Sequence, residues 1–166
     1  AETANALTKK YDIDEFRNLY TFYYSGFNLR STDLQAYIGR SQLKKLQKIN
    51  KVRERNFQTY KLILNDFYCQ NSSTDFVSSF AYGTLVENRE EVAETMKRNG
   101  VEVRPLICGN IARHPFWLKD HPPSNFKNAD IVHDFGLYLP NHLYVTEEQI
   151  KICCDLFKSV AIPKFL

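Results

Sequence analysis

The sequence predicts an α/β fold of the α+β kind, in which helices cover one face of a small three-stranded sheet. Three short segments are rich in β-branched and aromatic residues, as strands are, and they comprise residues 76–86, 101–107 and 135–140. Helical patterns precede, separate and follow these segments, which is the order expected of a layered fold. The chain of 166 residues suits one domain of ordinary size.

The composition excludes several classes of protein. Hydrophobic residues make up 43% of the chain and charged residues 25%, as in globular proteins. A net charge of +3 is too small to predict a nucleic-acid partner. No apolar run approaches the roughly 18 residues of a membrane span. The start of the sequence is polar and lacks a signal-peptide pattern, so we predict a cytoplasmic protein without a membrane partner.

The cysteines and histidines predict neither disulfides nor a metal site. The chain has four cysteines and no CxxC motif, and the adjacent pair Cys153 and Cys154 is poorly placed for a mutual disulfide. The four histidines do not fall at zinc-ligand spacing with any cysteine. We therefore expect reduced thiols and no bound metal.

A long helix is predicted over residues 31–68. Thr32 and Gln35 have the spacing of a capping box, and apolar residues recur from Leu34 to Phe67 mostly in steps of three and four. The opposite face is rich in lysine and arginine, which is typical of a solvated helix surface. A helix of this length would bridge two bodies or pack across a dimer.

The remaining elements have recognisable boundaries. Asn88 is expected to cap a helix that Gly100 ends, and Thr146 to cap the last helix, over residues 146–160. Pro105 places the second strand at an edge of the sheet or ends it. Residues 108–134 contain three prolines and are predicted to form a long loop.

Two places have the chemistry of an anion-binding site. Asn28 and Arg30 lie in a turn just before the long helix, where an amide and a guanidinium suit a phosphate or carboxylate. A plain helix entry is the alternative. The second place is a stretch whose polar side chains adjoin Phe116 and Trp117, and these are Arg104, Asn110, Arg113 and His114. It suits a flat, anionic molecule, unless its polar groups are satisfied within the loop.

The stretch GFNLRSTDLQAYIGRSQL, followed by GVEVRPL, GLYLPNH and TEEQI, resembles the C-terminal half of the DegT/DnrJ/StrS family. The loop GNIARHPFW is most similar to the branch that contains sugar 3-dehydratases. The resemblance implies a type I aminotransferase fold, pyridoxal phosphate (PLP) as the cofactor, and a homodimer. It further implies aminotransfer or C3 dehydration of a nucleotide-linked 4-keto-deoxysugar, in deoxy- or amino-sugar and surface polysaccharide (O-antigen) biosynthesis.

The same resemblance implies that this chain is the C-terminal part of such an enzyme. Residues 1–30 would be a remnant of the cofactor-binding large domain with its cofactor-contacting turn, 31–68 a bridging helix, and 69–166 the small domain. In the family, the cofactor-holding lysine, or the histidine that replaces it in the dehydratases, lies upstream of the G-F-N turn. We therefore expect no catalytic residue in this chain, no PLP bound by it alone and no activity of its own.

The resemblance also implies roles for the candidate residues. Asn28 would contact the cofactor phosphate of the neighbouring subunit, with Arg30 in the same pocket. The nucleotide-sugar side would be lined by Arg104, Asn110, Arg113 and His114. The sequence leaves open whether the enzyme is an aminotransferase or a dehydratase. An alternative is a non-catalytic binding or interaction module that keeps the small-domain fold.

Overall fold

The computed structural model describes residues 4–26, 32–70, 72–73 and 76–166. These residues form eight α-helices, three strands and one 3-10 helix. The helices are α1 (Ala4–Lys10), α2 (Glu15–Asn18), α3 (Asp33–Leu43), α4 (Leu46–Ile63), α5 (Arg89–Arg98), α6 (Pro115–Leu118), α7 (Lys127–Phe135) and α8 (Glu147–Val160). The strands are β1 (Ala81–Leu85), β2 (Arg104–Pro105) and β3 (Gly136–Pro140), and the 3-10 helix is Ile111–Arg113.

The predicted three-stranded sheet is confirmed. It is antiparallel, with the order β1-β3-β2, so Pro105 lies in an edge strand as expected. Tyr82 pairs with Leu139, and these side chains share the buried face of the sheet. Helices α4, α5 and α8 contribute further members of this core, among them Tyr60, Met96 and Phe157.

The strands are shorter than predicted. Strand β1 begins at Ala81 instead of Phe76, because Ala81 pairs with Pro140 and proline has no N–H with which to continue the ladder. Ser78, which precedes the strand, donates to Asn50 of α4 instead. Strand β2 comprises only two residues of the predicted 101–107.

The single long helix predicted over residues 31–68 is wrong, since α3 and α4 are separate helices. The chain leaves the α-helical hydrogen-bond pattern at Lys45, whose N–H donates to the carbonyl of Gln42 at 2.9 Å. The apolar spacing lengthens to five residues between Ile38 and Leu43, just before this break. Helix α3 buries none of its residues, whereas α4 packs its second half into the core.

The prediction of one long loop over residues 108–134 is also wrong. It contains the 3-10 helix, α6 and most of α7. The prolines do not oppose this structure, because Pro115 occupies the first turn of α6, where no N–H is needed. The remaining prolines, Pro122 and Pro123, lie between α6 and α7.

The predicted helix boundaries are mostly confirmed. Thr146 forms a complete capping box with Gln149 at the start of α8, and Gly100 follows α5 with a φ of 76°. Asn88 stands before α5, but its side chain does not cap that helix. It donates to the carbonyl of Val160 and accepts from the N–H of Ile162, both at 2.9 Å, and so ties α5 to the C-terminal segment.

Candidate functional site

The site is built around residues 108–118, which we call the loop. Asn110 lies at its start and is buried. Its amide nitrogen donates to the Asp130 carboxylate at 2.8 Å, and its amide oxygen accepts from the N–H of Ala112 at 2.9 Å, which caps the 3-10 helix. The Asn110 side chain therefore joins the loop to α7, and the substrate contact assigned to it stays a prediction.

Gly109 allows the loop to approach α7 closely. Its φ is 65°, and a Cβ atom at this position would lie 2.5 Å from Nδ1 of His133. That nitrogen accepts a hydrogen bond from the N–H of Asn110 at 3.2 Å. Burial, followed by the positive charge of Arg113, lowers the pKa of His133 to about 4, so its imidazole is neutral at ordinary pH. Sequence reasoning missed His133, because it was assigned to a loop.

His114 connects the loop to the segment of residues 20–26, which we call the N-terminal segment. Its Nδ1 atom accepts from the N–H of Phe22 at 3.1 Å, and its Nε2 atom lies 2.8 Å from the carbonyl oxygen of Cys108. A carbonyl only accepts, so Nε2 carries the proton and the ring is neutral. Burial lowers the pKa of His114, opposed by the Cys108 contact.

The N-terminal segment makes further contacts with the same region. The N–H of Phe116 donates to the carbonyl of Phe22 at 3.1 Å, so both backbone groups of Phe22 are bonded to the loop. The Phe22 ring stacks on His114, with ring centroids 5.3 Å apart. Arg104 donates to the hydroxyl of Tyr20 at 3.2 Å. Arg104 and His114 are thus joined to the segment that precedes Asn28 and Arg30 in the sequence.

The two arginines of the site are more accessible than Asn110 and His114. Arg104 is exposed, and its Nε donates to Glu102 at 2.7 Å. Arg113 is partly exposed and contacts Asp134 at 2.9 Å and Asp130 at 3.4 Å. The hydrogen bond with Asp134 is the main cause that raises the pKa of Arg113. Both guanidiniums reach solvent and could contact an anion.

The candidate cofactor residues Asn28 and Arg30 lie outside the described residues. The structure brings together Asn110, Arg113 and His114 around α7, with Arg104 linked to them through the N-terminal segment. In the stretch LYLPNH, Asn141 has a structural role. That amide is buried and donates to the carbonyls of Arg53 and Ser79.

A small cavity of about 20 Å³ adjoins the loop. It is lined by Arg17, Tyr20, Cys108, His114 and His133 among others, and has room for about one water molecule. A larger cavity, of about 670 Å³, lies on the sheet face opposite the core. The described residues that line it carry no charge, and they include Leu106, Val132 and the contacting rings of Phe80 and Tyr138.

Other chemistry finds no support in the part of the chain that the structure describes. There, no three His, Cys, Asp or Glu residues gather in a way that could hold a metal ion. Burial raises the pKa of Cys153 to about 11 and that of Cys154 to about 12, so both are thiols at ordinary pH. None of the helices formed by described residues has the length and apolar composition needed to cross a membrane.

The chain belongs to the DegT/DnrJ/EryC1/StrS aminotransferase family, whose model matches residues 4–158. The solved structures most like it in fold include a DegT DnrJ EryC1 StrS aminotransferase from Brucella abortus. That structure matches with a TM-score of 0.69 at 18% identity, over 81% of this chain and 37% of the other. The predicted family and the type I aminotransferase fold are confirmed.

The individual relatives include GDP-sugar 3-dehydratases and a lipopolysaccharide biosynthesis protein. GDP-4-keto-6-deoxy-D-mannose 3-dehydratase from Yersinia pseudotuberculosis is 26% identical over 93% of this chain and 42% of its own length. The E. coli enzyme of that name, solved with bound hydrated PLP, matches with a TM-score of 0.68 at 25% identity, over 87% of this chain and 40% of the other. The Salmonella typhimurium lipopolysaccharide biosynthesis protein RfbH is 30% identical over 84% of this chain and 35% of its own length. This chain thus spans less than half the length of the relatives it matches.

Proposed function

We propose that this chain is the C-terminal part of a PLP-dependent enzyme that removes the C3 hydroxyl of a nucleotide-linked 4-keto-6-deoxysugar. The observation that carries the proposal is the similarity to a GDP-sugar 3-dehydratase along 93% of the chain. A dTDP-sugar 3-dehydratase from Saccharopolyspora spinosa is also 27% identical over 79% of it. The family membership alone would equally suit an aminotransferase.

The residues of this chain fit the phosphate end of PLP. Asn28 offers an amide and Arg30 a guanidinium, which are suitable donors for a phosphate of the neighbouring subunit in a homodimer. Every lysine among the described residues is at least partly exposed, so none is placed like a lysine that holds a cofactor ring in a closed pocket. When bound, PLP supplies an electron sink.

Arg104 and Arg113 are the residues that we assign to the nucleotide-sugar substrate. Their guanidiniums are accessible and suit a diphosphate. The larger cavity on the sheet, whose lining includes the rings of Phe80 and Tyr138, suits the face of a sugar or base. Asn110 and His114 act in this scheme by fixing the loop that carries Arg113.

The setting of the reaction follows from the same proposal. A 3-deoxysugar nucleotide is a building block of surface polysaccharides, and one relative is a lipopolysaccharide biosynthesis protein. Such building blocks are made in the cytoplasm, where PLP and nucleotide sugars are available. The chain of residues 1–166 alone is expected to be inactive and to bind no PLP, because the proposed cofactor pocket needs residues outside it.

The test is a product analysis on the protein as the cell makes it. The C-terminus would be tagged at the native locus, and the purified protein given PLP, glutamate and GDP-, CDP- or dTDP-linked 4-keto-6-deoxysugars. Mass spectrometry should show loss of the C3 hydroxyl from one of these sugars. Transfer of an amino group to C4 would establish an aminotransferase instead. An absence of PLP and of any conversion would favour the non-catalytic module.

A further inference from the structure

We propose that His114 is a positioning residue, whose neutral imidazole holds the N–H of Phe22 in the N-terminal segment against the loop and loses that hydrogen bond when Nδ1 is protonated. The geometry of the ring carries this inference. Nδ1 accepts from the N–H of Phe22, while Nε2 donates to the carbonyl of Cys108. A proton on Nδ1 would face the N–H of Phe22, and two donors cannot form a hydrogen bond.

The surroundings of His114 do not stabilise a charged ring. His114 is 2% exposed, and its ring contacts the rings of Phe22, Phe116 and His133. The groups that face it across the small cavity are Arg17 of α2, Tyr20 of the N-terminal segment, Cys108 of the loop and His133 of α7.

None of these neighbours is a carboxylate. Carboxylates that contact Arg17 and Arg113 are paired with those cations, Glu90 with Arg17 and Asp134 with Arg113. A positive charge on His114 would therefore be buried without a direct counter-ion, which is costly. Acidification should therefore break the hydrogen bond between the N–H of Phe22 and Nδ1 of His114.

The N-terminal segment lies just before the candidate cofactor residues, which links His114 to the proposed function. Phe22 precedes Asn28 by six positions in the sequence, and both of its backbone groups are bonded to the loop. His114 therefore fixes the chain shortly before Asn28 and Arg30. This consequence for the cofactor rests on the proposed function, whereas the hydrogen bond itself does not.

Two substitutions separate the two nitrogens of the ring. In His114→Gln the side-chain amide nitrogen takes the place of Nε2 and the acceptor for Phe22 is lost. In His114→Asn the amide oxygen takes the place of Nδ1 and that acceptor is kept. The exposed His142 makes the same kind of contact, with Nδ1 3.3 Å from the N–H of Tyr144, so His142→Gln is the matched control.

The first measurement is the hydrogen-exchange protection of the Phe22 amide, by NMR on the chain of residues 1–166. We expect about fivefold less protection in His114→Gln, the factor that a hydrogen bond of about 1 kcal/mol represents. His114→Asn and His142→Gln should match the unmodified chain. Equal loss in both His114 variants, or full protection in His114→Gln, would overturn the inference.

A pH titration tests the protonation step without a substitution. In the unmodified chain, the protection factor of Phe22 should fall as pH drops through the pKa of His114, which lies below its ordinary value because the ring is buried. In His114→Asn it should stay constant over the same range. A Phe22 protection factor that does not change while His114 titrates would contradict the proposal.

The link to the cofactor is tested separately, by PLP retention in the protein as the cell makes it. His114→Gln should retain PLP more weakly than the unmodified protein, and His114→Asn should restore retention. A loss of Phe22 protection with unchanged PLP retention would support the hydrogen-bond inference and contradict the cofactor role given to the turn.

Discussion

At the scale of single residues, the side-chain hydrogen bonds of this chain include two kinds, those within one helical turn and those between distant positions. Thr32 bonds with Gln35 and Thr146 with Gln149, as their spacing predicted, because a capping box involves only one helical turn. Asn110 instead bonds with Asp130, twenty positions away, a partner that no spacing rule reveals. The residue types of the loop indicated polar chemistry, but only the fold shows which side chains are used internally.

Asn110 should be a determinant of stability. Asn110→Ala removes a buried side chain with two hydrogen bonds and is expected to cost about 1–3 kcal/mol in the free energy of unfolding. Urea denaturation measures this cost. Asn125→Ala, at an exposed position before α7, is the control and should change stability by less than about 0.5 kcal/mol.

The cost of Asn110→Ala should depend on pH. The hydrogen bond from Asn110, and then that from the N–H of Phe126, lower the pKa of Asp130 below its ordinary value. A lowered pKa stabilises the fold above the unfolded-state value of about 3.9, and this contribution is lost as pH falls through the folded-state pKa. The difference between the variant and the unmodified chain should therefore be larger near pH 7 than near about pH 3. An equal difference at both pH values would contradict the role given to this bond.

At the scale of elements, the types of helices and strands were predicted better than their lengths. Strand β1 begins opposite Pro140, where its partner β3 ends, and α3 separates from α4 where the apolar spacing changes. The first boundary depends on the neighbouring strand, and the second depends on a small change in the spacing of apolar residues. Helix α7 was missed because the prolines before it suggested an unstructured loop.

The two capping boxes should differ in their effect on stability. Thr146→Ala is expected to lower the free energy of unfolding by about 1 kcal/mol, because α8 contributes buried side chains to the core. Thr32→Ala removes the same motif from α3, which buries none of its residues. It should lower helicity by circular dichroism without moving the denaturation midpoint. Equal shifts of the midpoint in both variants would show that α3 belongs to the cooperative unit.

Helix α4 and its C-terminal cap offer a second matched pair. Leu64 is fully buried, whereas Leu62 is 77% exposed. Leu64→Ala should cost about 2–5 kcal/mol in the free energy of unfolding, through lost apolar burial and the cavity left behind. Leu62→Ala should change it by no more than about 0.5 kcal/mol. Chemical denaturation of both variants decides whether the end of α4 is part of the core.

At the scale of the whole molecule, the predicted bridging helix divides into two parts with different environments. Helix α4 packs into the core formed with the sheet and α8, so part of the segment assigned to a bridge belongs to that core. Helix α3 leaves Leu34, Tyr37 and Leu43 exposed. The sequence pattern identified the apolar face but not how much of it the chain itself covers.

The exposed face of α3 should cause association of the chain. Replacing Leu34, Ile38 and Leu43 together with glutamine is expected to lower the apparent mass in light scattering, because contiguous apolar surface is removed. Replacing Lys44, Lys48 and Lys51 with glutamine is the control, and it should leave association in place. A monomeric unmodified chain that binds no hydrophobic dye would contradict this prediction.

The central claim is that the chain is part of a PLP-dependent nucleotide-sugar enzyme. Its most direct test is the PLP content of the protein tagged at its C-terminus and purified as the cell makes it. We expect one PLP per subunit in the protein from the cell, measured by absorbance after release in alkali. We expect no PLP in the separately expressed chain of residues 1–166. The claim would be contradicted if the protein from the cell contained no PLP and took up none when it was supplied.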